Sequence, residues 1–318
     1  MAEGTTARAG VRGAGLLGER YEGYAEVGAA TLINGSIGVM VSYATMPTGM
    51  LLTLRMAIAG AILAVPFVLL RRWRELAQPG VRLRLLAVGL IVAANLILYF
   101  LSIRYSGVAI AIFLSYMAPV YLAIAAPIFL REKTEAAVWG AIALAMVGMA
   151  AIVLPGALIG GATFSVVGIT TGIAAGICYA AALMTIKSVR SRVASSTIVL
   201  AQCVCTTLAI LPLGLIEVVR AEVPVFTARN LLMALLLGAL TTAFTFTLFT
   251  HGIKYVKVQH ASIIGYLEPL SAPIYALLLL GQVPSLWTVA GGLLIVVAGV
   301  LLVRFGRAPR PEPEELHA

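Results

Sequence analysis

The chain has 318 residues, of which 61% are hydrophobic and only 11% are charged. A soluble domain is nearer half apolar and a quarter charged, so this composition excludes an ordinary soluble protein. The net charge of +9 would suit a nucleic-acid-binding protein, but no basic stripe alternates with aromatic side chains. The basic residues instead lie in short segments between long apolar runs, which is typical of a multi-span membrane protein.

Apolar runs of about twenty residues follow one another along the chain, and each predicts a transmembrane helix. Helices are expected because a helix satisfies its own backbone hydrogen bonds in lipid, and no alternating strand pattern is present. Several linkers are so short that consecutive helices must be antiparallel. We therefore predict an all-α integral membrane protein with spans at approximately 24–45, 48–70, 83–103, 107–130, 136–155, 165–187, 196–218, 229–252, 257–280 and 285–304.

The distribution of Lys and Arg predicts the orientation. With the N-terminus inside, eighteen of the 22 basic residues lie on the inner side, three lie on the outer side, and Arg55 lies within a span. The positive-inside rule then places both termini in the cytoplasm, and we expect a location in the cell (inner) membrane. Residues 1–23 lack the apolar segment of a signal peptide and predict a cytoplasmic tail, and residues 305–318 predict a disordered one.

The two halves of the chain resemble each other. Residues 95–120 align without gaps with residues 245–270, and the pairs Tyr116/Tyr266 and Pro119/Pro269 are among the identities. Each half contains five spans, an odd number, so the second half must enter the membrane from the opposite side. Such inverted repeats, here 24–155 and 165–304, are typical of secondary transporters with a site near the middle of the membrane.

Three elements carry a family resemblance. They are the paired segments SYMAPVYLAIAAPIFLREK and GYLEPLSAPIYALLLLGQVPS, the glycines of the fifth and tenth spans, and MPTGMLLTLRMAIAG at the start of the second span. Together they resemble the EamA-type branch of the drug/metabolite transporter superfamily. The resemblance implies a central cavity surrounded by spans one to four and six to nine, and an exporter of small metabolites such as amino acids. In the second half Gln282 replaces the acid that Glu132 keeps in the first, which favours a structural role at a helix end.

Glu268 is the strongest candidate for a functional residue. It lies near the middle of the ninth span, where an ionisable group is costly and usually faces a cavity or a partner. Its counterpart in the first half is Ala118, so the acid is not part of the repeat. One hypothesis is proton coupling or substrate binding through Glu268, and the alternative is a protonated structural glutamate beside a kink.

The remaining candidates are polar groups and prolines within the spans. Arg55 is interpreted either as a counter-charge for Glu268 or a substrate carboxylate, or as a side chain that snorkels to the membrane surface. Pro119 and Pro269 predict kinks that line the cavity, because proline removes a backbone donor and clashes one turn back. Tyr116, Tyr266, Asn34 and Asn95 are candidate pocket residues, although single polar groups in spans more often hold helices together.

These features predict a secondary transporter that exports small metabolites by alternating access. Proton antiport is the expected coupling, with facilitated diffusion left open. The sequence predicts no cofactor and no metal, and it contains no nucleotide-binding loop. The expected partners are a small-molecule substrate, membrane lipids and protons, but no nucleic acid, with a monomer or a homodimer. One alternative is an efflux pump for cationic drugs. A remote alternative is a membrane enzyme acting on lipid-linked substrates through His251 and Glu268.

Overall fold

The computed structural model describes residues 21–159, 165–222 and 224–305, so the two predicted tails lie almost entirely outside the described residues. The described part of the chain is helical, which confirms the predicted fold class. Nine helices are long and apolar enough to span a membrane within these ranges, and a tenth apolar helix is shorter. The long helices are Tyr21–Tyr43, Thr48–Leu69, Val81–Ser115, Ala136–Ile159, Val166–Arg190, Ser195–Val219, Ala228–Gly252, Val258–Leu280 and Leu286–Phe305, and the shorter one is Ala118–Phe129.

The 35-residue helix Val81–Ser115 contains the whole third span and the start of the fourth. Gly107 interrupts it with φ 82° and ψ 164°, a conformation that glycine adopts without strain. The third span is therefore 81–106. The fourth begins at residue 108, breaks at residues 116–117, and continues as Ala118–Phe129. This division gives the ten spans predicted from the sequence, with the third beginning two residues earlier and ending three residues later than expected.

The two five-span halves interlock. The most extensive helix pairings join the second span to the seventh, the third to the sixth, and the fifth to the tenth, so each pairs one half with the other. At the fifth–tenth contact, a Cβ added at Gly148 would lie 2.6 Å from the carbonyl oxygen of Gly291. Small residues thus let these two backbones approach closely.

Several spans are irregular near their middles. The fourth is broken at residues 116–117, the ninth at residues 265–266, and the first at residues 35–36, while the eighth contains the π-helical turn Ala239–Phe244. The rings of the repeat-related Tyr116 and Tyr266 lie 5.7 Å apart between centroids, at the two matching breaks. The halves therefore meet at their broken helices, which places irregular backbone in the interior of the bundle rather than against lipid.

One end of the bundle is rich in ion pairs between the halves, and we call it the charged end. It contains Glu132 and Glu135 from the loop between the fourth and fifth spans, with Lys187 and Lys257 from the second half. Lys187 Nζ lies 3.3 Å from Glu132 Oε1, and Lys257 pairs with Glu135. Glu132 also accepts a hydrogen bond of 3.0 Å from the backbone N–H of Val258 at the start of the ninth span. These contacts fasten the ninth span to the first half.

Candidate functional site

Glu268 lies at the start of a half-helix in the interior of the bundle. The ninth span consists of Val258–Ile264 and Leu267–Leu280, and Glu268 is in the first turn of the second segment. The N-terminus of a helix carries a partial positive charge, which favours a carboxylate in the first turn. The break at residues 265–266 therefore creates a place within the span where an acidic side chain is electrostatically favoured.

Three tyrosines from three spans surround this carboxylate. The Tyr116 side chain, at the break of the fourth span, lies beside the Glu268 carboxylate. Tyr99 of the third span and Tyr179 of the sixth span lie close enough to interact electrostatically with it. Glu268 is only partly buried by its neighbours. A half-buried acid among tyrosines of both halves is the arrangement expected of a group that lines an interior cavity.

Arg55 points into the same interior region from the second span. Its Nε donates a hydrogen bond of 2.6 Å to Thr242 Oγ1, and its Nη2 donates one of 3.0 Å to the Thr241 carbonyl oxygen. The guanidinium carbon lies 5.7 Å from the ring centroid of Phe246. All three partners belong to the eighth span, in the other half of the chain. Arg55 therefore does not snorkel to the membrane surface.

The two opposite charges are close but separate. Arg55 and Glu268 interact electrostatically. However, the ion pairs within the described residues do not include one between them. The guanidinium is held by the eighth span, whereas the carboxylate lies beside Tyr116 of the fourth. The interior of the bundle thus contains a guanidinium and a carboxyl group that do not form an ion pair with each other.

The π-helical turn Ala239–Phe244 was not predicted from the sequence. Thr241 and Thr242 lie within it, both fully buried, and their hydroxyls donate to the Leu237 carbonyl oxygen at 2.9 Å and 3.0 Å. Such turns are uncommon and often occur at functional sites. Two adjacent threonines within an apolar span are the available sequence signal, but they do not distinguish a π-turn from an ordinary helix.

The other predicted site residues make contacts between spans. Asn34 accepts a hydrogen bond of 2.7 Å from Thr245 Oγ1, and Asn95 donates one of 2.7 Å to the Ala175 carbonyl oxygen. Tyr266 is fully buried, and its hydroxyl donates to the Tyr116 carbonyl oxygen at 2.5 Å. Asn34 therefore links the first span to the eighth, and Asn95 links the third to the sixth. Tyr266 links the ninth span to the fourth.

Both prolines lie just beyond the breaks. Pro119 and Pro269 fall in the first turns of Ala118–Phe129 and Leu267–Leu280. A first-turn proline lacks an N–H that would have no partner within the new helix, so it fits there while preventing continuation of the preceding helix. The first span approaches this region as well, since a Cβ at Gly35 would lie 2.9 Å from the Glu268 carbonyl oxygen.

The alternative of a membrane enzyme needs His251 and Glu268 to act on one substrate, but His251 pairs with Glu26 instead. Its Nδ1 lies 2.7 Å from Glu26 Oε2, near the charged end. Glu268 instead interacts with Arg55 and the tyrosines of the interior. Within the described residues, no cluster of three or more His, Cys, Asp or Glu side chains could hold a metal ion.

The comparison with protein families decides the class of the chain. A family model described as "EamA-like transporter family" matches twice, over residues 23–154 and 166–305. The chain belongs to the EamA-like transporter family. It is therefore a transporter rather than an enzyme, and a multi-pass membrane protein. The double match also agrees with the two repeats seen in the sequence and in the paired breaks.

Named relatives agree with this assignment. An uncharacterized transporter of Archaeoglobus fulgidus is 31% identical over 284 residues, covering 89% of this chain and 96% of the relative. The pseudopaline exporter CntI of Pseudomonas aeruginosa is 27% identical over 262 residues, covering 82% of this chain and 88% of the relative. A solved crystal structure superposes with a TM-score of 0.74 at 19% identity, covering 88% of this chain and 96% of that one. The structural likeness concerns the fold alone.

Proposed function

We propose that this protein exports small zwitterionic metabolites, amino acids or related compounds, by alternating access in exchange for protons. The observation that carries the proposal is the placement of Arg55 and Glu268. They face one interior region from opposite halves without forming an ion pair with each other. A zwitterion presents a carboxylate and an ammonium group, and the guanidinium fork can bind both carboxylate oxygens.

The tyrosines provide the rest of a small-molecule pocket. Tyr99, Tyr116 and Tyr179 come from three spans and surround the Glu268 carboxylate. Aromatic faces attract an ammonium group and also pack against an apolar side chain. An amino acid with its carboxylate at Arg55 and its ammonium group near Glu268 satisfies both charges.

The packing supports alternating access between the two halves. All seven residues of Val258–Ile264, toward the charged end, are buried. In Leu267–Leu280, beyond the break, only Ser271 is buried, and in Ile37–Tyr43 of the first span only Val39 is. The ninth span is thus tightly packed at the charged end and loosely packed beyond its break. This difference in burial supports a conformation closed at the charged end, and the basic-residue count predicts that this end faces the cytoplasm.

Glu268 is the group that we assign to proton exchange. It is an acid within a span, only partly buried, with the Tyr116 side chain beside it. Alternating protonation and substrate binding at one carboxylate would couple inward proton movement to outward substrate movement. Export as the direction is supported by the Pseudomonas relative, which is named an exporter.

An efflux pump for cationic drugs is the second candidate. The observation in its favour is the carboxylate surrounded by tyrosines, which suits an organic cation. Arg55 opposes it, because a guanidinium in the same region repels a second cation. The two candidates therefore differ in what removal of the Arg55 charge should do.

The test is a substrate panel on purified protein in liposomes. Efflux of radiolabelled compounds is measured for amino acids and for quaternary ammonium cations, with the wild type and Arg55→Gln. We expect wild-type transport of one or more amino acids, and a loss of at least tenfold in Arg55→Gln, since a charged hydrogen-bonding partner contributes about 1.5–3 kcal/mol. Transport of the cations alone, with a gain in Arg55→Gln, would contradict the proposal and establish the drug efflux pump.

A further inference from the structure

The position of Arg55 is set by side-chain and backbone groups of the π-helical turn. In this turn Thr242 Oγ1 accepts from Arg55 Nε at 2.6 Å, and the Thr241 carbonyl oxygen accepts from Nη2 at 3.0 Å. The guanidinium has five N–H donors in a fixed planar fork. These two contacts use one edge of the fork and leave donors on the other side for a ligand.

The Thr242 hydroxyl is itself held in one orientation. It donates to the Leu237 carbonyl oxygen at 3.0 Å, so its lone pairs are directed away from that carbonyl and toward Arg55. The residue is fully buried. A chain of hydrogen bonds therefore runs from the guanidinium through the hydroxyl to the helix backbone, and such chains strengthen each member.

The attraction of Glu268 acts against this arrangement. An arginine and a carboxylate that interact inside a protein are drawn together more strongly than they would be in water. If the guanidinium swung across to Glu268, the resulting ion pair would occupy both groups that the proposed substrate needs. In the structure the guanidinium is instead bound by groups of the eighth span.

We propose that Thr242 is a positioning residue that tethers the Arg55 guanidinium to the π-helical turn and keeps it from pairing with Glu268. The further consequence, that Arg55 stays available to a substrate carboxylate, rests on the proposed function. The π-turn is then the element that makes the tether possible, because it presents the Thr242 hydroxyl and the Thr241 carbonyl to the same guanidinium.

The chain offers a matched comparison next to Thr242. Thr241 is equally buried in the same turn, and its hydroxyl donates to the same Leu237 carbonyl oxygen. Only the Thr242 hydroxyl accepts from Arg55. Thr241→Val and Thr242→Val therefore remove equivalent buried hydroxyls, and the difference between them isolates the tether. Thr242→Ser keeps a hydroxyl and should behave like the wild type.

The first experiment needs no substrate. Full-length protein is treated with phenylglyoxal, which modifies arginine, and the adduct on the Arg55 peptide is followed by mass spectrometry. The measurement is made in a Glu268→Gln background, so that a released guanidinium has no carboxylate to pair with. We expect Thr242→Val to speed labelling of Arg55 about tenfold relative to Thr241→Val, given a charge-assisted bond of about 1.5–3 kcal/mol. In Thr242→Ser, Arg55 should be labelled at the same rate as in the Glu268→Gln protein that keeps both threonines.

The second experiment uses protein that keeps Glu268, reconstituted in liposomes. The probe is the amino acid that the wild type transports best. The amino acid concentration that gives half-maximal exchange should be about tenfold higher in Thr242→Val than in Thr241→Val. The maximal rate should change less, and Thr242→Ser should restore affinity.

The two experiments separate the possible failures. Equal labelling of Arg55 in the two valine variants would overturn the tether, because the threonines would then be interchangeable packing groups. Unequal labelling with equal half-maximal concentrations would keep the tether and overturn its role in substrate binding. If the wild type exchanges no amino acid, the proposed function fails, and labelling still decides whether Thr242 holds Arg55.

Discussion

The fourth and ninth spans are repeat mates that share an architecture and differ in chemistry. The helix of the fourth span is interrupted at residues 116–117 and that of the ninth at residues 265–266, so each two-residue break includes a tyrosine. In both spans the second helical segment carries a proline in its first turn. At the matching position, however, the fourth span has Ala118, which is fully buried, and the ninth has Glu268, which is partly accessible. The repeat thus fixes where the helices break, while a single position decides which break carries a charge.

The surroundings explain why the acid belongs to only one of the two breaks. Ala118 packs within the main hydrophobic cluster of the protein, where a carboxylate would have no partner. Glu268 has the Tyr116 hydroxyl and the nearby Arg55 guanidinium. Two equivalent half-helix starts are therefore not two equivalent sites, because the groups that compensate a charge lie beside one of them.

The largest effect is expected from placing an acid at the other break. Ala118→Glu would bury an unpaired carboxylate among apolar side chains, which costs several kcal/mol. We expect little or no folded protein, measured as the monodisperse fraction after purification in detergent and as the unfolding temperature. Glu268→Ala, the control, removes a charge rather than burying one and should still fold. A stable Ala118→Glu protein would show that the two breaks are chemically equivalent.

The paired tyrosines give a smaller and more specific contrast. The Tyr116 side chain lies beside the Glu268 carboxylate, whereas the Tyr266 hydroxyl donates to the Tyr116 carbonyl oxygen. Tyr116→Phe should lower transport efficiency about tenfold with little change in stability, because it removes the hydroxyl that can donate to the Glu268 carboxylate during transport. Tyr266→Phe should lower the free energy of unfolding by about 1–3 kcal/mol and spare transport, because it leaves a buried carbonyl unpaired. Liposome flux and thermal unfolding measure the two effects. A loss of stability in Tyr116→Phe with a loss of transport in Tyr266→Phe would contradict this assignment of the two tyrosines.

The smallest effect on stability is expected at the ends of the same two spans. Glu132 follows the fourth span and pairs with Lys187, while the matching Gln282 is exposed. Glu132→Gln should lower the free energy of unfolding by about 1 kcal/mol, since Lys187 keeps backbone carbonyl partners. Gln282→Glu should change it by less than about 0.5 kcal/mol. Thermal unfolding of both variants tests this, and an equal loss in both would remove the asymmetry between the ends.

Much of the architecture could be predicted from the sequence, for physical reasons that particular residues make clear. Lipid demands long apolar helices, so the spans are visible as hydrophobic runs, and the repeat identities at Tyr116/Tyr266 and Pro119/Pro269 mark the two matching breaks. Glu268 stands out because no other acid lies in the middle of a span.

The partners of the candidate site could not be predicted in the same way. The π-turn packs against the second span, far away in the sequence, and Thr241 and Thr242 carry no periodicity that reveals it. The break of the first span reflects the close approach of Gly35 to the ninth span, a contact between residues more than two hundred positions apart. The direction of Arg55 likewise depends on packing between halves, which a single sequence does not encode locally.

The central claim is that Glu268, the acid that only one repeat carries, couples substrate movement to protons. The most direct test measures proton flux and amino acid efflux together in liposomes with an imposed pH gradient, for the wild type and for Glu268→Gln. We predict that the wild type moves protons in proportion to substrate, and that Glu268→Gln loses the response to the pH gradient. Substrate exchange with undiminished proton dependence in Glu268→Gln would contradict the account.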